Sequence, residues 1–259
     1  MHIEVTGQGP AVVLIHGWAL HGGVFAPLVD RLADRCTLYR VDLPGHGYSR
    51  DSSTPLQLHA CAEEILARTP PAIWLGWSLG GLFALHAARR SSQVEGVAMI
   101  AATPCFVRTP DWPNAVDASV FTQFGDELQR DYRGTLERFL ALDTIGSEHA
   151  RTELRTLKDT LYARGEPSPA ALQTGLRLLE DSDLRAELPH LAVPSLWISG
   201  RRDRLVPAAG MAEAAAMAPW SEHLEIAGGG HAPFLGHADQ VAHALAGFVE
   251  AIGPQPAMR

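Results

Sequence analysis

At Gly76-Trp77-Ser78-Leu79-Gly80 the chain passes from an apolar run, residues 72–75, into a helical pattern over 79–90. The apolar run predicts a short buried strand, and the Ala and Leu residues that follow predict a packed helix. A Gly-x-Ser-x-Gly pattern at a strand-to-helix junction is typical of a nucleophile elbow, which projects the serine hydroxyl into a cleft. A glycine-rich turn that holds a serine by chance gives the same pattern, so the motif needs its structural context.

Two loops near the C-terminal end supply that context, because a nucleophilic serine needs a base and an acid that orients the base. Asp203 follows the strand-like run 194–199, and His231 ends a Gly228-Gly229-Gly230 loop after the run 223–226. Carboxyl ends of parallel strands meet at one edge of a sheet. We therefore expect Ser78, Asp203 and His231 to lie together as a catalytic triad.

The loop after an apolar strand at 11–15 completes the predicted site. It reads His16-Gly17-Trp18. The backbone amides of Trp18 and Leu79 are the expected oxyanion hole. His16 is interpreted as a loop-packing residue, because His231 already fits the role of the base.

Strand-like and helical patterns alternate along most of the chain, which predicts a mostly parallel central sheet with helices on both faces. Together with the order Ser, Asp, His, this alternation indicates the α/β-hydrolase fold. The predicted strands cover 2–6, 11–15, 37–42, 72–77, 95–101, 194–199 and 222–226. The predicted helices between them cover 24–34, 56–68, 79–90, 207–217 and 238–252.

Only helical patterns occur between about residues 104 and 191, over 115–132, 134–142, 147–163 and 168–180. We interpret this segment as an all-helical cap over the site, since insertions above the sheet edge line the cleft. The predicted organisation is an α/β-hydrolase core of residues 1–108 and 190–259 with a cap of residues 109–189.

Composition excludes several classes of protein. The 259 residues carry 46% apolar residues and a net charge of −8, so no overall basic footprint for nucleic acid exists. The three cysteines are widely spaced, and no basic start precedes an apolar segment, so we expect a cytoplasmic protein without a signal peptide. No apolar run reaches the roughly 18 residues of a membrane span. We expect a monomer that needs no metal or organic cofactor.

Two features of the cap have more than one interpretation. The apolar patch at 139–142 either lines an acyl tunnel together with Trp18, Trp77 and Phe234 or packs the cap against the main domain. A set of basic residues, interleaved with acidic ones, is either a solvated mixed surface or a cationic face for an anionic partner. This set consists of Arg133, Arg138, Arg151, Arg155 and Lys158.

The chain resembles the BioH family, the pimeloyl-acyl-carrier-protein methyl ester esterases of biotin synthesis. The more specific matches are Trp-Leu-Gly-Trp-Ser-Leu-Gly-Gly at 74–81, Pro-Cys-Phe at 104–106, Asp-Trp-Pro at 111–113 and Glu-Arg-Phe-Leu-Ala-Leu at 137–142. The resemblance implies hydrolysis of a methyl ester on pimeloyl-acyl carrier protein, with the cap arginines facing the acidic carrier. It implies substrate contacts at Trp18, Ser78, Leu79, Phe139, Leu140, Ala141, Leu142, Asp143 and His231.

The chain departs from the expected pattern in two places. First, Asp143 puts a carboxylate beside the predicted acyl site. Second, a glycine follows Arg133, so the basic face is expected to be arranged differently from that of the relatives.

Three alternatives stay open at this point. The first is a short-chain carboxylesterase or lactonase, and the second is an acyltransferase on the same fold. The third is a receptor that binds ligand without turnover, against which the complete Ser78, Asp203 and His231 set argues. Ser78 also argues against dehalogenases and epoxide hydrolases, which use an aspartate nucleophile.

Overall fold

A seven-stranded sheet in the order β1-β3-β2-β4-β5-β6-β7 forms the centre of the molecule in a computed structural model that describes residues 1–253. Residues 254–259 of the predicted core lie outside the described residues. Only β1 runs antiparallel to its neighbour, and all other pairs are parallel. The strands are β1 (His2–Gly7), β2 (Ala11–Ile15), β3 (Thr37–Asp42), β4 (Ala72–Trp77), β5 (Val94–Ile100), β6 (Ser195–Gly200) and β7 (Ser221–Ile226).

The predicted fold class is confirmed, and each predicted strand agrees with the observed one within one residue at either end. Helices alternate with the strands and cover the sheet, so every residue of β4 and of β6 is buried. Such double burial explains why these strands are apolar runs without alternation. The helices of the core are α1 (Ala26–Leu32), α2 (Leu58–Leu66), α3 (Leu79–Ala88), α8 (Ala208–Met217), α9 (Pro233–Gly236) and α10 (Ala238–Ile252).

The chain between β5 and β6 forms four α-helices, followed by a 3₁₀ turn at Arg185–His190. Helix α5 packs against α6, and α4 packs against α7. The set also touches the core, since α7 contacts α3 and α6 contacts α9. The division into core and cap at residues 109 and 189 stays a prediction. These helices are α4 (Ser119–Arg130), α5 (Tyr132–Thr144), α6 (Ala150–Ala163) and α7 (Pro169–Asp181).

Arg164, which follows α6, joins the helices of the predicted cap to the sheet through a buried ion pair. Its guanidinium lies 3.1 Å from both carboxylate oxygens of Asp42 and 2.6 Å from Glu4 Oε2. Asp42 also accepts hydrogen bonds from the Gly22 and Tyr48 amides, at 2.8 and 2.9 Å. Burial alone would raise the pKa of the Asp42 carboxyl, but its neighbours, these amides and the guanidinium among them, hold that pKa below its usual value.

Within residues 1–253, no helix has both the length and the apolar composition that crossing a membrane requires.

Candidate active site

Ser78 lies in the turn between β4 and α3, in a conformation that non-glycine residues rarely adopt. Its backbone angles are φ 52° and ψ −121°, which places strain at the position of the predicted nucleophile. The turn depends on its glycines. A Cβ on Gly80 would lie 2.1 Å from the Ile15 carbonyl oxygen, and one on Gly76 would lie 2.4 Å from the backbone of Gly80. Only residues without a side chain permit this approach of strand and helix.

The structure brings the three predicted triad residues into one hydrogen-bonded chain. His231 Nε2 lies 2.9 Å from Ser78 Oγ, and His231 Nδ1 lies 2.8 Å from Asp203 Oδ2. The other oxygen of Asp203 accepts from the Leu205 and Val206 amides, at 2.8 and 2.9 Å. Since an ionised carboxylate only accepts, Nδ1 carries the imidazole proton and Nε2 is left to accept the Ser78 proton.

The electrostatics of His231 suit a base whose cation must be stabilised. Burial of the ring works against its charge, but the charge of Asp203, its hydrogen bond and the charge of Asp143 together raise the pKa of His231 above its usual value. Two further hydrogen bonds hold the loop that carries His231. Trp77 Nε1 donates to the His231 carbonyl at 2.8 Å, and the His231 amide donates to the Asp143 carbonyl at 3.1 Å.

Trp18 and Leu79, the predicted oxyanion donors, lie at the ends of the two neighbouring strands β2 and β4, where Ile15 pairs with Gly76. Leu79 is the first residue of α3, so its amide has no acceptor within the helix. The amide of Trp18 has no acceptor among residues 1–253. The Trp18 indole donates to the Leu172 carbonyl of α7 at 2.9 Å, and a Cβ on Gly175 would lie 2.8 Å from the Trp18 ring. The cap thus fixes the side chain of Trp18.

His16 packs the loop, as the sequence indicated. Its Nε2 accepts from the Leu43 amide at 2.9 Å, so Nδ1 carries the proton that is shared with the Gly17 carbonyl at 2.7 Å. Burial, helped by the neighbouring His46, lowers the pKa of His16 to about 3. Both ring nitrogens are engaged, and the ring is therefore neutral and fixed.

The segment predicted to bind substrate, residues 139–143, lies in α5, and part of it is buried. Phe139, Leu140 and Asp143 are buried, whereas Ala141 and Leu142 are half-buried. Phe139 packs edge-on against Trp18, with the ring centroids 4.6 Å apart.

Phe124 of α4 is a further aromatic residue that the sequence reasoning missed. Its ring centroid lies 5.5 Å from that of Phe139 and 6.4 Å from that of Trp18. Phe124 and Leu142 line a cavity between α4 and α5, with a volume of about 260 Å³. The sequence signal that could have pointed to Phe124 was its spacing from Val120, one helical turn away, which places both residues on one face of the helix.

Asp143 is fully buried, and neither carboxylate oxygen has a hydrogen-bond partner within residues 1–253. Burial raises the pKa of Asp143 to about 7; the nearby His231 works to lower it and Asp203 to raise it. The carboxyl therefore takes the neutral form below neutral pH. The carboxylate that sequence analysis placed beside an apolar site is thus a buried acid next to the predicted base.

The five basic residues of the cap fall into two groups. Arg133 pairs with Glu166, Arg138 with Glu127 and Asp131, and Lys158 with Glu137. Arg151 and Arg155 are exposed on α6, one turn apart, and have no ion pair within the described part of the chain. Among these five residues, Arg151 and Arg155 are therefore the two whose positive charges are not paired with a carboxylate of the described residues.

A parallel sheet, a strained serine after a central strand and a Ser-His-Asp hydrogen-bonded chain define a serine hydrolase of the α/β class. A sequence model of the Alpha/beta hydrolase family matches residues 12–244. The chain is 70% identical over 252 residues to the pimeloyl-acyl-carrier-protein methyl ester esterase of Xanthomonas oryzae pv. oryzae (strain MAFF 311018), covering 97% of this chain and 100% of that protein. The enzyme of the same name from Stenotrophomonas maltophilia (strain K279a) is 65% identical over 254 residues, 98% of each chain.

The chain therefore belongs to the alpha/beta hydrolase family and, within it, to the pimeloyl-acyl-carrier-protein methyl ester esterases. Among solved structures, an esterase from Exiguobacterium antarcticum superposes with a TM-score of 0.87, covering 96% of this chain and 94% of that one. At 22% identity this likeness shows the fold alone.

Proposed function

We propose that this protein hydrolyses the methyl ester of a pimeloyl group carried on acyl carrier protein, in the cytoplasm, as a monomer that serves biotin synthesis. The observation that carries the proposal is the hydrogen-bonded chain of Ser78, His231 and Asp203, which lies beside α5 because the His231 amide donates to the Asp143 carbonyl. Membership of the family supports the substrate, and the triad supports the reaction.

The reaction follows from the positions of the protons. His231 Nε2 accepts the Ser78 proton as the serine oxygen attacks the ester carbonyl, and Asp203 stabilises the resulting imidazolium. The amides of Trp18 and Leu79 bind the oxyanion of the tetrahedral intermediate. His231 then returns its proton to the methoxide, which leaves as methanol. Water, deprotonated by His231, then attacks the acyl-enzyme. His231 returns that proton to the Ser78 oxygen as the ester bond breaks, and the product leaves as a free carboxylate.

The acyl chain is assigned to the aromatic surface formed by Trp18, Phe124 and Phe139. These rings lie within 6.4 Å of one another, centroid to centroid. Leu142 extends the apolar surface into the cavity between α4 and α5. In this proposal the acyl chain runs from that cavity past the three rings toward Ser78, a route that suits an ester whose other end is tethered to a carrier.

The carrier is assigned to the exposed pair Arg151 and Arg155. Arginines already paired with carboxylates have less attraction left for an acidic partner, so Arg133 and Arg138 contribute less. Charges on a docking rim mainly steer the encounter, and salt screens that steering.

Steady-state kinetics on two substrates test the proposal. The double variant Arg151→Glu/Arg155→Glu should raise KM for the carrier-bound methyl ester by about tenfold, in line with two lost surface pairs, each worth up to roughly 1 kcal/mol. On a small p-nitrophenyl ester, kcat/KM should stay within about threefold, because that ester does not reach the carrier surface. Arg177→Glu, an exposed position on α7, is the matched control.

Three results would contradict parts of this proposal. Equal losses on both substrates would mean that Arg151 and Arg155 support the cap itself. No loss on either substrate would place the carrier elsewhere. A native protein that hydrolyses short p-nitrophenyl esters but not the carrier-bound methyl ester would be a general carboxylesterase.

A further inference from the structure

Glu148, His149 and His237 gather outside the catalytic site, at the junction of the cap and the loop that carries His231. Glu148 and His149 precede α6, and His237 lies between α9 and α10, six residues after the catalytic histidine. One ligand atom from each residue lies within 4.8 Å of the other two. The two imidazole rings meet edge to face, with their centroids 5.0 Å apart.

The separations suit ligands of one metal ion better than hydrogen bonds. Glu148 Oε1 lies 3.6 Å from His149 Nε2 and 3.7 Å from His237 Nε2. Both exceed the usual distance of an N–H···O hydrogen bond. Two ligand atoms at about 2.0–2.1 Å from one tetrahedral Zn²⁺ lie roughly 3.4 Å apart. Each of these two separations would therefore need to close by only a few tenths of an ångström.

His237 supplies an independent sign of a missing ligand. Its side chain is 10% exposed, and its Nε2 is buried without a hydrogen-bond partner within residues 1–253. A buried polar atom without a partner is uncommon and costly. The other two side chains are about half exposed, at 47% and 48%, which leaves an open coordination position for water.

Two glycines make room for these side chains. A Cβ on Gly228 would lie 2.3 Å from the Glu148 carboxyl carbon, and one on Gly236 would lie 2.9 Å from His149 Cδ2. Beneath Gly236 lies Glu153, which is 1% exposed and has a second oxygen without a partner in the described residues.

We propose that Glu148, His149 and His237 bind one Zn²⁺ ion, which fastens the cap to the catalytic-histidine loop. Two imidazoles and one carboxylate form a donor set typical of Zn²⁺ and unlike the all-oxygen sets that Mg²⁺ prefers. The Glu148 amide already donates to the Gly228 carbonyl at 3.1 Å, so the ion would reinforce an existing contact between the two segments. The inference does not depend on the esterase activity.

Titration of the untagged protein with ZnCl₂ by calorimetry, with metal content after dialysis, tests the site. We expect one Zn²⁺ per chain, a rise in the unfolding temperature that excess EDTA reverses, and neither effect with MgCl₂. Glu148→Gln and His149→Ala, both at exposed positions, should each weaken the affinity by at least about tenfold. His243→Ala, at an exposed histidine of α10, is the matched control and should keep the native affinity.

Two results would overturn the proposal. One is the absence of saturable Zn²⁺ binding at one ion per chain. The other is an affinity that Glu148→Gln and His149→Ala leave unchanged, or that His243→Ala weakens equally, because the ion would then bind to other histidines.

Discussion

Replacement of Asp143 by asparagine should change the pH dependence of stability, because the amide keeps the shape of the carboxyl but cannot ionise. The Asp143 side chain is fully buried, with no partner for either oxygen among residues 1–253. Its folded-state pKa is raised from 3.8 to about 7. The folded protein therefore holds a proton that the unfolded chain releases, and native stability falls as the pH rises between these two values.

The size of the effect follows from that shift. A rise of about three units corresponds to ~4 kcal/mol of destabilisation at pH well above 7, at 1.36 kcal/mol per unit. At pH 5 the unfolded carboxyl is already mostly ionised, and roughly 1–2 kcal/mol of the loss is present. Asp143→Asn removes this dependence. The stability difference, variant minus native, should therefore grow by roughly 2–3 kcal/mol between pH 5 and pH 8.

Urea unfolding followed by circular dichroism at both pH values measures this difference. Asp126→Asn, at an exposed position on α4, is the control and should show the same difference at both. An Asp143→Asn difference that is equal at pH 5 and pH 8 would refute the reasoning. In the variant, the acidic limb of the kcat/KM profile should also move to lower pH, because the Asp143 charge helps to raise the pKa of His231.

The triad should act as a unit, so Ser78→Ala and His231→Ala should each lower kcat by about 10⁴-fold or more. The double variant should lose little activity beyond that. Near-native turnover by Ser78→Ala in a p-nitrophenyl ester assay would disprove the assignment. Arg164→Ala should lower the free energy of unfolding by about 3–5 kcal/mol, because it leaves the buried Asp42 charge unpaired. Arg133→Ala, whose side chain is 74% exposed, should cost under about 1 kcal/mol. Chemical denaturation measures both, and equal losses would show that burial of the pair is immaterial.

Local patterns in the sequence were enough to predict the sheet and the three residues that the structure joins in one hydrogen-bonded chain. Local sequence patterns placed each strand within one residue. The clearest patterns were the apolar runs of β4 and β6, because double burial leaves these strands no polar face. Ser78, Asp203 and His231 were predictable since each follows a strand whose end is fixed by parallel pairing. The strands needed no knowledge of distant side chains.

Side-chain partners far apart in the chain were not predictable in this way. Arg164 and Asp42 are separated by 122 residues, and nothing in either neighbourhood marks a buried pair. The basic residues of the cap looked equivalent, yet the fold pairs Arg133 with Glu166 and leaves Arg155 without an ion pair among residues 1–253. The burial of Asp143 likewise depends on how α5 meets the His231 loop, which its own helical pattern does not specify.

The hydrogen bond from the Trp18 indole to the Leu172 carbonyl joins a proposed oxyanion donor of the core to helix α7. Any excursion of α7 away from the sheet must break that bond or carry Trp18 with it. A cap that swings aside to admit substrate would thus take apart half of the oxyanion hole. Closure of the cap over the ester and completion of the oxyanion hole are then one conformational event. An ester too small to hold the cap in place would be turned over slowly, however well its carbonyl fits against Ser78.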